Sequence, residues 1–252
     1  MGTRFFSVFL LLTVSIVGAF EPSMLNLTTP SRLENTEAVF KITHRFYGQV
    51  DDDPLETFFG LDAGANVSLG MRYALLPRLE LNASYTRLQK EYVLGASYAY
   101  FFPQMHAGGQ LDVQFFSFQE GGVEERNENF FYALSLQTEP LLGIVRPVIN
   151  AGFDGYNEKF GVVFGLSMGT DMDIGPVNRI DLIGEYYPVL DRDDAIHGPE
   201  NSFAFGIKAA TYGHNFMLLV GNNSQISARR LMLGTASNDL YFGFNVHRHL
   251  DL

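Results

Sequence analysis

The feature that most constrains this chain is an alternation of apolar and polar residues with period two. No stretch beyond residue 19 holds 18 consecutive apolar residues, so spanning helices are excluded, and helix-period stripes are scarce. Period two sends successive side chains to opposite faces of an extended backbone, which is the pattern of a two-faced strand. Phe40, Ile42, His44 and Phe46 alternate with Lys41, Thr43 and Arg45. Val67, Leu69, Met71 and Tyr73 alternate with Asn66, Ser68, Gly70 and Arg72. After a turn at Leu75–Arg78, Leu79, Leu81, Ala83 and Tyr85 alternate with Glu80, Asn82, Ser84 and Thr86. The same reading applies to Tyr92–Phe102, Leu111–Phe115, Phe130–Leu136, Pro147–Phe153, Phe160–Met168, Ile180–Tyr186, Phe203–Ala209, Phe216–Val220 and Leu240–Val246. Twelve strands are therefore predicted.

With each register set on its apolar row, those rows contain no Lys, Arg, Asp or Glu, in a chain that is 18% charged. Some runs are less clean: Met217 and Leu219 fall on the polar row of Phe216–Val220, and Val148 on that of Pro147–Phe153. Alternation alone fits both a soluble sandwich and a membrane barrel. Three features select the barrel. The apolar rows are rich in Phe and Tyr, as at a membrane boundary. Many polar-row positions are Gly, Ser or Ala, suited to a crowded interior. The connections, finally, divide into short and long sets. The short set is Leu75–Arg78, Pro103–Gly108, Thr138–Val145, Thr170–Val177 and Thr211–His214. The long set is Gly48–Gly64, Gln119–Asn129, Pro188–Asn201 and Gly221–Asp239, with short exceptions at Arg87–Lys90 and Gly155–Lys159. The absence of Trp is the one departure from a usual aromatic girdle. The expectation is an all-β, antiparallel transmembrane β-barrel of about 12 strands in the outer membrane of a Gram-negative cell, with periplasmic termini and lipid as its surroundings.

Residues 1–19 read as a secretory signal: Arg4, an apolar run from Phe5 to Val17, then Gly18 and Ala19. Residues 20–252 follow as one domain, without a linker or low-complexity run. The chain has no cysteine, so neither disulfides nor a lipoprotein anchor can be invoked. Removing residues 1–19 takes away only Arg4 and leaves 16 basic against 28 acidic residues, a net charge of −12. Nucleic acid is excluded as a partner on that balance, and oligomeric state is not encoded in any of these features.

Several segments resemble a family of uncharacterised bacterial outer-membrane β-barrel proteins catalogued as a domain of unknown function. They are THRFYG at Thr43–Gly48, FFGLD at Phe58–Asp62, GEYYPVL at Gly184–Leu190, GHNFMLLVGNNSQ at Gly213–Gln225 and FGFNVHR at Phe242–Arg248. The resemblance spans nearly all of the chain after the signal. It implies a barrel and no activity. Many barrels end on an aromatic residue read by the insertion machinery, whereas this chain runs on to Leu250, Asp251 and Leu252, leaving Phe242 and Phe244 as the nearest aromatic candidates.

Candidate chemistry is sparse. His247 and His249 could share one strand face and bind a metal, but no third ligand is near in sequence. Asp51–Asp53, Asp171 with Asp173, and Asp191 with Asp193 and Asp194 lack the glycine and glutamate spacing of a calcium loop and read as solvated turns. No metal or other cofactor is expected. Ser224 and His214 are separated by a strand and should not meet, and no GxSxG motif exists, so an enzymatic reading has little to stand on. His44 sits in the lipid-facing row, either near a boundary or on a bulge that turns it inward beside Arg45.

The inward rows carry Lys41, Arg45, Arg72, Arg179 and Lys208 together with Glu80, Glu91, Asp112, Asp154, Asp181 and Glu185. These form either a lattice of ion pairs filling a closed barrel or a charged lining that selects a solute. Three long connections hold 13 acidic residues against Arg126 and Arg192. The fourth carries Arg229 and Arg230 followed by Leu231, Met232 and Leu233, which suggests a loop folded inward as a constriction or packed on its neighbours outside. The leading functional expectation is a channel for small solutes or ions. The alternatives are a non-conducting barrel that partners another envelope protein and, third, an outer-membrane enzyme.

Overall fold

A computed structural model describes residues 24–30, 33, 36–120, 123–190 and 192–251. The proposed signal at residues 1–19 lies outside them. Among the described residues the chain forms twelve strands: β1 (Glu37–Gln49), β2 (Ala65–Leu76), β3 (Leu79–Thr86), β4 (Glu91–Phe101), β5 (Met105–Glu120), β6 (Val123–Thr138), β7 (Val145–Asp154), β8 (Lys159–Ile174), β9 (Val177–Tyr187), β10 (Ser202–Thr211), β11 (His214–Gly221) and β12 (Tyr241–Asp251). Each pairs antiparallel with the next, and β12 returns to β1 with Glu37 opposite Asp251, closing the ring. Closure leaves no unpaired edge, the condition for a sheet to stand in hydrocarbon. An even number of strands brings both chain ends to one end of the barrel, termed here the terminal end. The opposite one is the loop end. No described helix is long and apolar enough to cross a membrane.

The faces follow the period-two pattern. Outward residues such as Leu134 and Leu218 are 67% and 68% exposed, whereas inward polar residues such as Gln114 and Asn129 are buried. At the terminal end two of the two-residue connections rest on glycine, while the one between Leu76 and Leu79 places Arg78 at φ 73°. Gly175 (φ 59°) lies between Ile174 and Val177, and Gly213 (φ 93°) between Thr211 and His214. Both occupy the left-handed region that a two-residue hairpin turn demands.

The structure corrects three local readings. The expected long connection Gln119–Asn129 is a hairpin extension, since β5 runs to Glu120 and β6 begins at Val123, pairing Ser117 with Arg126 and Phe118 with Glu125. Glu124, Glu125, Arg126 and Glu128 are exposed strand residues, so their charge marks a hairpin that faces water and not an irregular loop. The β8–β9 connection is likewise shorter than Thr170–Val177, because β8 continues to Ile174. Finally, no bulge turns His44 inward. Its register opposite Phe244 is regular, its ring stacks on Phe244 at 4.8 Å between centroids, and the nearest register shift falls between Arg45 and Gln49.

Candidate functional site: the barrel lumen

The interior is built from the inward rows and from two segments that fold into them. The first comprises residues 24–30 and 33, which precede β1. Met24, Leu25 and Leu27 are buried in one apolar cluster with Phe131, Val148, Val163, Met217 and Leu219 of the wall. Val148, Met217 and Leu219 break the polar rows in the sequence, as do Phe131, Val163 and Ile183, and they break them where this segment lies. Asn26 is held on two sides: its backbone and side-chain nitrogens donate to Glu185 at 2.8 and 2.9 Å, and its Oδ1 accepts from Arg45 at 2.7 Å. Tyr187 donates its hydroxyl to the same carboxylate at 2.8 Å. Arg45, fully within the wall layer, also donates to Asn245 Oδ1 at 2.9 Å. Toward the terminal end the backbone N–H of Leu33 reaches Glu80 at 3.5 Å, and Leu33 packs with Val39 and Ala74.

The second segment is the connection between β11 and β12. It enters the lumen at the loop end and forms a single helical turn, α1 (Ala228–Leu231). Arg229 is almost fully buried and reaches both Glu91 at 2.8 Å and Asp154 at 3.4 Å, while Arg230 reaches Glu91 at 3.1 Å. Both guanidinium groups lie over the ring of Phe116, at 4.6 and 4.9 Å from its centroid. Asp154 is further held by Asn129 at 2.7 Å and Asn157 at 2.6 Å. Leu231 and Met232 complete the apolar cluster around Met24 and Leu27, so the two inserted segments share one core.

Other charged residues of the inward rows form separate groups. Asp181 binds Arg179 at 3.0 Å and Lys208 at 3.3 Å, and Arg179 also reaches Asp171 at 2.8 Å. Arg72 pairs with Glu80 at 3.0 Å. Asp112 accepts from the amides of Gln110 at 2.6 Å and Asn82 at 3.2 Å. Lys41 and His247 border open space. His214 and Ser224 stand apart, His214 beside Arg248 at 3.2 Å at the terminal end and Ser224 where its carbonyl accepts from Asn66 at the loop end.

What remains open is one-sided. The half of the lumen against β6–β11 is filled by the apolar cluster. Against β1–β5 lies a cavity of about 230 Å3, bounded by residues 24–29 on its inner side and by Ile226–Arg229 at the loop end. Its lining is about evenly polar and apolar and carries both signs, with Lys41 and Arg72 against Glu80, Glu91 and Asp112.

These observations define a closed twelve-stranded membrane barrel with an internally packed lumen. The chain belongs to the family of membrane bound beta barrel domains (DUF5777), whose model matches residues 21–135 and 129–250. No curated protein sequence matches it. Solved structures similar to it include the KdgM porin (9% identity, TM-score 0.48, covering 84% of this chain and 98% of that one). The NanC porin (8%, 0.46, 84% and 100%) and LpxR from Salmonella typhimurium (10%, 0.45, 86% and 100%) are similar to a comparable degree.

Proposed function

We propose that this barrel is a narrow outer-membrane pore for small polar solutes or ions, with its termini in the periplasm and the polar half of its lumen as the path. The observation that carries this reading is the cavity beside residues 24–29, which follows the β1–β5 wall from Arg72 and Glu80 up to Arg229. A lining of both charge signs and amides serves hydrated solutes and repels apolar ones. The acids exposed at the loop end, among them Asp51, Asp52, Asp53 and Asp62, favour cations at the mouth by field focusing over about 8 Å at physiological salt. In this reading Arg229 and Arg230 form the constriction.

The test is planar-bilayer conductance of the refolded protein and of a variant lacking Ser227–Gly234. The proposal expects small steps from the intact chain and larger ones from the deletion. The second reading, a non-conducting barrel that partners another envelope protein, draws on the occupation of the lumen by two segments. Absence of current in both folded forms would decide for it.

A further inference from the structure

The way residues 24–30 are held differs in kind from the way the strands are held. Strands join one another backbone to backbone. Among the described residues, the hydrogen bonds that reach the backbone of this segment come from side chains of the wall. Glu185 accepts two successive N–H groups, from Asn26 at 2.8 Å and Leu27 at 3.1 Å. Asn245 Nδ2 donates to the Leu25 carbonyl at 2.6 Å, and Asn150 Nδ2 to that of Thr28 at 2.8 Å. Four main-chain groups in four consecutive residues are thus read by side chains of β7, β9 and β12. Residues 25–27 form a bend, which turns two successive N–H groups toward one carboxylate, so the wall holds a bent peptide through main-chain contacts, with pockets for side-chain choice.

The pockets are present as well, and glycines make them. A Cβ on Gly165 would lie 2.6 Å from both Met24 and Leu27 side-chain carbons, and one on Gly206 would lie 2.9 Å from Leu25. At Gly165 the atoms met are the ends of flexible side chains, so a small residue can be accommodated but a bulky one such as Leu would fill the seat, while at Gly206 the Leu218 carbonyl of the wall, 2.6 Å away, is met before Leu25.

We infer that the lumen contains a peptide-binding site whose resident ligand is the chain's own segment around Met24–Thr28, held so that it can leave without breaking a strand pair. The class of ligand is a short peptide bent at an Asn that two apolar residues flank. Released, the segment would widen the cavity it now borders; that consequence rests on the pore reading, whereas the binding site does not.

The test uses the full chain. Leu25→Asp with Leu27→Asp places two carboxylates in apolar seats, so the segment should leave and become open to a broad-specificity protease while the barrel stays folded, read as a difference in gel migration with and without boiling, which a closed barrel is expected to give. A labelled synthetic peptide of residues 24–33 should then bind this variant, read by fluorescence anisotropy, and should not bind the wild-type chain, whose site is filled. Adding Gly165→Leu should weaken peptide binding roughly tenfold or more, because the seat for Leu27 is gone. A folded double variant whose segment stays protected, or that binds no peptide, overturns the inference. Should the double variant fail to fold, Gly165→Leu alone in the full chain gives the answer: wild-type protease protection of the segment overturns the inference, and exposure upholds it. Peptide binding without current in any form retains the site and removes the pore.

Discussion

Arg229 on α1 and Glu91 on β4 meet 2.8 Å apart with their side chains 1% and 4% exposed, and the same guanidinium reaches Asp154 on β7 at 3.4 Å. One arginine thereby ties the inserted loop to two separated strands of the wall. The ring of Phe116 covers it at 4.6 Å, which shields the pair from water and strengthens it.

Breaking a buried pair by removing one partner costs about 3–5 kcal/mol, since the other charge is left behind. Arg229→Ala leaves two carboxylates in that position, with Arg230 able to answer only Glu91. The loop should detach at the loop end, and single-channel conductance should rise toward that of the Ser227–Gly234 deletion. Conductance equal to that of the wild type would show that the loop does not limit flow.

Reversing the sign goes further. Arg229→Glu with Arg230→Glu sets four carboxylates against one another and removes the only cations of α1. The reversal potential in a salt gradient should move toward the cation value, and more so at low ionic strength, where screening is weaker. A selectivity that does not move assigns ion preference to the outer acids instead.

Two neighbouring residues of β3 test the faces. Leu81 is 42% exposed on the outer wall, while Asn82 points inward to Asp112. Leu81→Arg places a charge in lipid at about 2–4 kcal/mol, whereas Asn82→Arg brings a cation to a carboxylate. The folded fraction, read from the heat-dependent gel shift, should fall clearly for the first and little for the second. Equal losses would reject the register of β3.

Asp181 offers a stability test away from both inserted segments. It is fully buried and takes Arg179 and Lys208 together. Asp181→Asn removes the carboxylate shared by two cations and should lower the unfolding free energy, read from urea denaturation, by about the 3–5 kcal/mol typical of a broken buried pair. Asp171→Asn is the control, since Asp171 is 86% exposed at the side chain and its contact with Arg179 should contribute under about 1 kcal/mol.

The strands were legible because lipid tolerates so little: one charge in an outward row is expensive, so the chain writes its faces plainly. Hairpin lengths were less legible. Glu124 to Glu128 read as a loop because charge was taken for irregularity, although a strand that rises clear of the membrane can carry charge on both faces. Least legible was the filling of the lumen. Residues 24–33 have no periodicity of their own, and side-chain capture of a backbone leaves no local code. The signal lies on the other partner, in apolar intrusions such as Val148, Met217 and Leu219 and in the inward glycines Gly165 and Gly206, which say that the interior is crowded but not what crowds it.

The seat of residues 24–28 also has an order in time. Its parts come from β7, β8, β9, β10 and β12, while the segment itself stands ahead of β1. A chain exported before it folds has guest and berth present together, so separation along the chain sets the order, and contacts so distant are slow to form. The opening residues must therefore wait, unsatisfied, until the closing strand arrives, and the event that seals the wall is the one that gives them a home.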